Sequence, residues 1–258
     1  MRIAVLVKEV PDTYSERVLR EDTGLTDRQH SEAVLDEIGE RALELALRYA
    51  DRVPDTEVIL VSMGPAGAET SLRRGLAMGA TSVVHIADER LDGADLRLTA
   101  EVLAAAIRSA EVDLVVAGNR STDGAGGVIP AMLAELLQLP ALTSLVSVEI
   151  APTRVDGVRQ IEGGTAVVGA ELPAIVSVVE SLPDPRFPGL KGIMAAKRKP
   201  YRVVGLDELG IDPGHPDEPR SIVIAASRKP ARGAGTKVVD EGDGGSRIAD
   251  FLIENRLV

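Results

Sequence analysis

Two hydrophobic rhythms alternate along the chain. Short, largely apolar runs at Ile3 to Val7, Glu57 to Ser62, Val83 to Ile86 and Leu114 to Ala117 have the length and β-branching of strands covered on both faces, as in a parallel sheet. Between them, apolar residues recur three and four positions apart. Ile38, Ala42, Leu45, Ala46 and Tyr49 form one such stripe, and Ala68 to Met78, closed by Gly79, forms another. Leu96, Leu98, Val102, Leu103, Ala106 and Ile107 form a third within Ala94 to Ala110. A fourth helical pattern surrounds Pro130, which has no amide hydrogen and therefore belongs in a first helical turn; the helix starts near Gly126 to Ile129 and runs to Leu137. Strand and helix alternating in this order predict an α/β fold, a doubly wound parallel sheet of the Rossmann-like, adenine-nucleotide-binding type.

After Leu139-Pro140 the pattern shortens. SLVSVEI, TRVDGVRQIE, GTAVVGAEL and AIVSVVE are β-type runs separated by glycines, prolines and an Asp156-Gly157 turn, which predicts antiparallel hairpins extending the sheet. Proline and glycine punctuate 183–199, which leads into a short helix, and Leu206 to Gly210 is another helical turn. From Pro213 the chain is rich in Pro, Gly and charge, with one strand-like run, IVIAAS, and a terminal helix in SRIADFLIENRL. Residues 1–210 are thus expected to form the nucleotide-binding domain and 211–258 an arm lying on another subunit.

Composition narrows the chemistry. Aromatic residues make up 2% of the 258 with no Trp, so the core is aliphatic and a base-stacking surface is disfavoured. The formal net charge of −11 argues against nucleic acid or an anionic membrane as partner. The absence of cysteine excludes disulfides, thiolate nucleophiles and Cys-ligated metals. His30, His85 and His215 are scattered without metal-ligand spacing and are expected on the surface or in loops. MRIAVLVKEV is too short and too soon charged for a signal peptide, and no segment reaches membrane-span length; a cytoplasmic protein without membrane insertion is expected.

In an open α/β sheet ligands bind at the carboxyl ends of strands, which directs attention to the segment after Leu114 to Ala117. There Gly118, Gly124, Gly126 and Gly127 allow close backbone approach, while Asn119, Ser121, Thr122 and Asp123 supply donors, acceptors and a possible helix cap. A phosphate cradle and an ordinary strand-to-helix loop both fit this spacing. Asp36 and Glu37 stand at the positive end of a helix, where capping is favoured over ligand contact for Asp36. The polar excursion 8–30 is too long for a tight turn and suggests a functional or partner-facing role. Arg73 and Arg74 read as a solvated face. Phe187, Leu190 and Ile193 stand among basic residues, as an exposed interaction surface or as loop anchors. No GxSxG elbow, P-loop, HExxH or first-strand GxGxxG is present, so no catalytic constellation is visible.

IAVLVKEVPD, DEIGERALELALR, VSMGPAGAETSLRRGLAMGA, VDLVVAGNRSTDGAGG, LPAIVSV and DPRFPGLKGIMAAKRK, in this order, resemble the β subunit of electron transfer flavoproteins along nearly the whole chain. The resemblance implies an electron carrier rather than an enzyme. It would pair with an α subunit that holds the redox FAD and would itself bury a structural AMP. It would carry electrons from acyl-CoA and related dehydrogenases, as in fatty acid oxidation, to a membrane quinone oxidoreductase. By position it places AMP contacts at Leu6, at Asp36, Glu37, Ile38 and Gly39, and at Met63. It also places them along Gly118, Asn119, Arg120, Ser121, Thr122, Asp123, Gly124, Ala125, Gly126, Gly127, Val128 and Ile129. Docking of dehydrogenases falls to Arg186, Phe187, Leu190, Ile193 and Met194, with Leu190 as apolar anchor, and Asp12, Thr13 and Tyr14 should approach the flavin of the α subunit.

The chain departs from many relatives at Asp36 to Ile38, where they carry an Asn-Pro-aromatic turn, in the loop DGAGG, where they carry an acidic run, and at Ala166, where some carry glutamate. Some relatives bind a second FAD in place of AMP and bifurcate electrons, which is the alternative reading. An ATP pyrophosphatase of similar architecture is disfavoured because KEVPDTYSE lacks the glycines of a pyrophosphate loop. A nucleotide-sensing scaffold without redox partners is the remaining reading.

Overall fold

A computed structural model of the chain describes all residues except Arg17, 215–220, 228, 229, 231, 232, 234 and 236, so His215 lies outside the described residues. It divides into two compact units, Met1–Ala226 and Ser227–Val258. The first runs β1 (Arg2–Leu6), β2 (Glu9–Pro11), β3 (Ala33–Leu35), α1 (Glu37–Ala50), β4 (Glu57–Met63), α2 (Glu69–Met78), β5 (Ser82–Ile86), α3 (Leu96–Ala110) and β6 (Leu114–Gly118). It continues with α4 (Ile129–Leu137), β7 (Ala141–Ile150), β8 (Arg154–Ile161), β9 (Gly164–Glu171), β10 (Ala174–Val178), α5 (Leu190–Ala196), β11 (Tyr201–Val204) and α6 (Leu206–Leu209). The second unit holds the amphipathic helix α7 (Gly244–Glu254), whose Ile248, Phe251 and Ile253 are exposed.

Nine strands form one sheet in the order β11-β5-β4-β1-β6-β10-β7-β8-β9. The alternation of side chains along each strand sorts the core into two layers. Ile3 and Val5 of β1 pack with Leu60, Val116 and the stripe of α1 and α2 that includes Leu43, Leu72 and Leu76. Ala4 points the other way, with Ile59, Val61, Val115 and the α3 and α4 residues Val102, Ile107 and Leu133. Helices on both faces explain why these strands read as unbroken apolar runs. From β1 the chain passes through α1 to β4 on one side, while β6 pairs β1 in parallel on the other, so the strand order reverses at β1. The loops after β1 and β6 must therefore diverge and leave a crevice at the strands' carboxyl ends.

The structure corrects several expectations. AIVSVVE is not part of a hairpin: β10 inserts between β6 and β7 and runs parallel to both, its five residues all buried, as its apolar composition demands. Only β7, β8 and β9 form antiparallel hairpins, and Asp156-Gly157 lies inside β8 opposite Glu149 and Val148. There a side chain on Gly157 would stand 2.8 Å from the Ser147 carbonyl, so close strand contact rather than a turn accounts for this glycine. Residues 222–226 of IVIAAS form no strand, and Ile222 and Ile224 are exposed. The excursion 8–30 contributes β2, which pairs β3 as a two-stranded ribbon. His85 is buried on β5, its ring nitrogens 2.9 Å from the Tyr201 hydroxyl and 3.2 Å from the Gly64 carbonyl oxygen. Arg74 pairs with Glu40 and stays exposed, as a solvated face would, whereas Arg73 is half-buried, stacks 5.1 Å from the Tyr201 ring centroid and donates to the Ala196 carbonyl as a structural tie.

Among the described residues no helix is long and apolar enough to cross a membrane, and no cluster of His, Asp and Glu is placed to hold a metal ion. Leu133 is fully buried between α4 and the sheet, whereas Leu96 at the start of α3 is 47% exposed. Leu133→Ala should lower unfolding free energy by about 2–5 kcal/mol, and Leu96→Ala by about 1 kcal/mol or less. Urea unfolding of the purified variants checks this ordering, and equal costs would mean the α4 layer is wrongly packed.

Candidate functional site

The loops at the carboxyl ends of β1, β4 and β6 open into one cleft of about 2050 Å³. Of the residues singled out by position, Leu6, Asp36, Gly39, Met63, Gly118, Asn119, Arg120, Ser121, Gly124, Gly126, Gly127 and Ile129 line it. Glu37, Ile38, Thr122, Asp123, Ala125 and Val128 are not on its wall. Ile38 is buried beneath Gly118, where a β-carbon would stand 2.9 Å from the Ile38 side chain, so glycine lets β6 pass over α1.

Asp36 is the knot of the site. Its backbone N–H donates to the Lys8 carbonyl just beyond β1 at 2.8 Å. One carboxylate oxygen accepts from Ile38 N and Gly39 N at 3.0 and 3.4 Å, capping α1. The other accepts from the amide and the hydroxyl of Thr122, both at 2.7 Å. With 2% of the residue exposed, the carboxylate spends its acceptor capacity inside the protein. The capping role anticipated for Asp36 is present, and the tie to Thr122 is added to it.

The loop 118–129 is held open by a second carboxylate. Asp123 accepts from Lys8 Nζ at 2.8 Å, Arg28 Nη2 at 3.1 Å and Gly124 N at 2.6 Å. Burial raises this carboxyl, but Lys8, a Ser121 hydrogen bond and Arg28 outweigh it and bring the pKa down to about 2. Neither Asp123 nor its neighbours caps α4, whose first turn has Val128 at the cap position, no side-chain hydrogen bond, and Pro130. The orphan amides of that turn are thus left without a side-chain partner. Ala125 and Gly127 take left-handed backbone at φ 50° and 67°; only glycine does this freely, so Ala125 is strained by the loop that holds it. Asn119 Oδ1 is buried without a hydrogen-bond partner.

The second set of candidates lies along 183–199. Phe187, Leu190 and Met194 are exposed and Ile193 is 47% exposed, so these residues are not buried loop anchors. Arg186 differs: its guanidinium is engaged by Glu44 at 2.7 Å and Asp51 at 2.7 Å, pinning the segment to α1. Burial raises the Glu44 carboxyl, but Arg186 and Arg48 hold it below the usual carboxylate range. Arg41 adds a 2.9 Å pair with Asp184. Beneath α5, a β-carbon on Gly192 would meet the Ala77 carbonyl at 2.2 Å, and Lys199 donates to the Leu76 and Ala80 carbonyls at the end of α2. Asp12, Thr13 and Tyr14 stand apart from the cleft, on a turn in which Asp12 accepts from Tyr14 N and Tyr14 is almost fully exposed.

Sequence reasoning passed over Lys8, Arg28 and Gly64, all on the cleft wall. Lys8 was open to discovery, since it follows the first strand at its carboxyl end. Arg28 gave no local signal, because it reaches the cleft only through the path of the excursion.

Residues 23–209 match the model of the electron transfer flavoprotein domain. The chain is 42% identical over 263 residues, covering 99% of both chains, to electron transfer flavoprotein subunit beta of Mycobacterium tuberculosis (strain ATCC 25618 / H37Rv). It is 35% identical to the caffeyl-CoA reductase-Etf complex subunit CarD of Acetobacterium woodii, over 92% of each chain. With electron transfer flavoprotein subunit beta of Bacillus subtilis (strain 168) it shares 33% identity, over 91% of this chain and 90% of that one. A parallel sheet reversing at β1, a glycine-rich cleft at that reversal and relatives matched end to end lead to one conclusion: the chain belongs to the electron transfer flavoprotein family, among its beta subunits.

Proposed function

We propose that the chain is the beta subunit of a heterodimeric electron carrier that holds a structural AMP in the cleft, while an alpha subunit holds most of the FAD. It takes electrons from acyl-CoA and related dehydrogenases and delivers them to a membrane quinone oxidoreductase. FAD, when bound, supplies the electron-accepting and electron-donating chemistry; the residues of this chain bind, orient and dock. The observation that carries the reading is the convergence of Leu6, Gly39, Met63 and the loop 118–129 on one cleft at the strand reversal.

The cleft suits a mononucleotide in parts. Amides at the uncapped start of α4 and Gly124, Gly126 and Gly127 on the wall fit a phosphate end, and the unpartnered Asn119 Oδ1, an acceptor, fits a hydroxyl or amino donor of the nucleotide. Leu6, Met63 and Gly39 offer an apolar wall for a flat base. Asp36 would repel a phosphate if its oxygens were free, but they are occupied by four donors. A second reading, a whole second FAD in the same cleft, is favoured by volume alone: about 2050 Å³ exceeds the roughly 300–1000 Å³ of ordinary ligand pockets. Acid release and chromatography of the complex co-expressed with its alpha-type subunit separates them. One FAD and one AMP per heterodimer supports the first reading, two FAD without AMP the second, and no nucleotide overturns both.

Gly126 has ordinary backbone, and a β-carbon there would make only a 3.5 Å contact with Leu96, so Gly126→Val should fold while its side chain crowds the cradle. Its nucleotide content should fall well below one per heterodimer; full occupancy would mean the cradle lies elsewhere. Leu190 is 79% exposed, so Leu190→Ala should leave melting and nucleotide content unchanged. Loss of a buried leucine contact, about 1.5–3 kcal/mol, should slow reduction by a dehydrogenase about tenfold or more, and an unchanged stopped-flow rate removes the docking assignment. Asp123 has a depressed folded pKa, so its stabilisation is complete above its ordinary value of 3.8 and is lost as pH falls toward about 2. Across that window the melting temperature of the wild type should fall more steeply than that of Asp123→Asn; parallel slopes would show that the Lys8 and Arg28 pairs contribute nothing.

A further inference from the structure

Lys8 directly follows β1, and the excursion between β1 and α1 brings Arg28 to the same cleft wall. Both are fastened to one buried carboxylate: the Asp123 side chain is 3% exposed, whereas those of Lys8 and Arg28 keep 39% and 38%. The anion therefore stands behind and the cations in front. Arg28 also donates through Nη1 to the Glu9 carbonyl at 3.2 Å, which fixes the guanidinium from a second side. Because the carboxylate oxygen that accepts from Lys8 also accepts from Gly124 N, the pair stands beside the glycines of the loop.

The charge balance gives this pair a task. A phosphate monoester carries about −1.5 to −2 near neutral pH, and the start of a helix offers about half a positive charge. Arg120, another cation on the wall, is paired with Glu180 at 3.3 Å. Within their own cluster, Lys8 and Arg28 against Asp123 leave a local surplus of one positive charge, with N–H donors on both beyond those given to Asp123 and Glu9, while the acids Asp27, Asp88, Glu89, Asp92 and Asp95 line other parts of the wall. A nucleoside has no use for that surplus, whereas a nucleotide does.

We propose that Lys8 and Arg28, clipped side by side by Asp123, read the phosphate of the bound nucleotide and set the preference of the cleft for nucleotide over nucleoside. This rests on the nucleotide reading of the cleft given above. The test titrates the nucleotide-depleted heterodimer with AMP and, separately, with adenosine, following binding by calorimetry. Wild type should bind AMP about a hundredfold more tightly than adenosine, two charge-assisted contacts each being worth about tenfold. Lys8→Met and Arg28→Gln should each weaken AMP about tenfold and leave adenosine unchanged, and Lys8→Arg and Arg28→Lys should restore most of the preference. AMP affinity unchanged in both variants overturns the assignment while leaving the cleft a nucleotide site. Wild type that binds neither ligand overturns the nucleotide reading and this proposal together. If a variant does not fold, the AMP-to-adenosine ratio of its charge-conserving partner decides, because a merely structural role would weaken both ligands alike.

Discussion

A buried carboxylate cannot be left without donors, and at Asp36 that constraint organises the site. Its four donors come from the first turn of α1 and from Thr122 in the loop after β6, while its own amide is taken by the carbonyl that ends the β1 region. An unsatisfied ion at 2% exposure would cost several kcal/mol, so these segments are bound to meet there. Each comes from a neighbour of the strand-order reversal, and tying them together turns a geometric crevice into a fixed cleft. Asp123 repeats the device farther out, joining Lys8 and Arg28 to the same loop.

Helix α1 carries that fixed geometry to the opposite face. Glu37–Ala50 spans 14 residues, roughly 21 Å at about 1.5 Å per residue. One end is held by Asp36, and the other, through Glu44 and Asp51, holds Arg186. The exposed apolar residues 187, 190, 193 and 194 therefore ride on a polar footing, with α2 supplying a second support through Gly192, Arg73 and Lys199. A segment restrained in this way would lose less entropy on meeting a partner than a free loop.

The alternating core was legible in the sequence because strands covered on both faces must be apolar throughout and helices covered on one face must be striped. The glycine loop and Pro130 were legible for the same local reasons. What escaped depended on distant partners. AIVSVVE has no local feature that reveals whether it pairs in parallel with β6 or antiparallel with β9; insertion between β6 and β7 is decided by burial of all five residues of the strand. Asp156-Gly157 has the chemistry of a turn, yet it serves a close contact between strands. The structural ties of Arg186 gave no local signal because its carboxylates lie 142 and 135 residues away. Likewise, His85 found its partners on β11, a strand sequence reasoning did not expect, and beside β4.

The chain carries an excess of acid, a formal −11, and two of its carboxylates at the cleft, Asp36 and Asp123, are taken up by donors of the protein itself. The lone pairs of Asp36 face N–H and O–H donors of the protein itself, which directs its field into the structure. Asp123 is likewise turned inward, and its charge serves to collect cations rather than to present an anion. At Asp123 the acid takes the buried position, where donors saturate it, and the long basic side chains of Lys8 and Arg28 reach past it to the cleft wall. Had Lys8 and Arg28 been placed there without Asp123 behind them, their mutual repulsion and flexibility would have pushed them into solvent. The buried carboxylate of Asp123 is therefore what keeps Lys8 and Arg28 on the cleft wall.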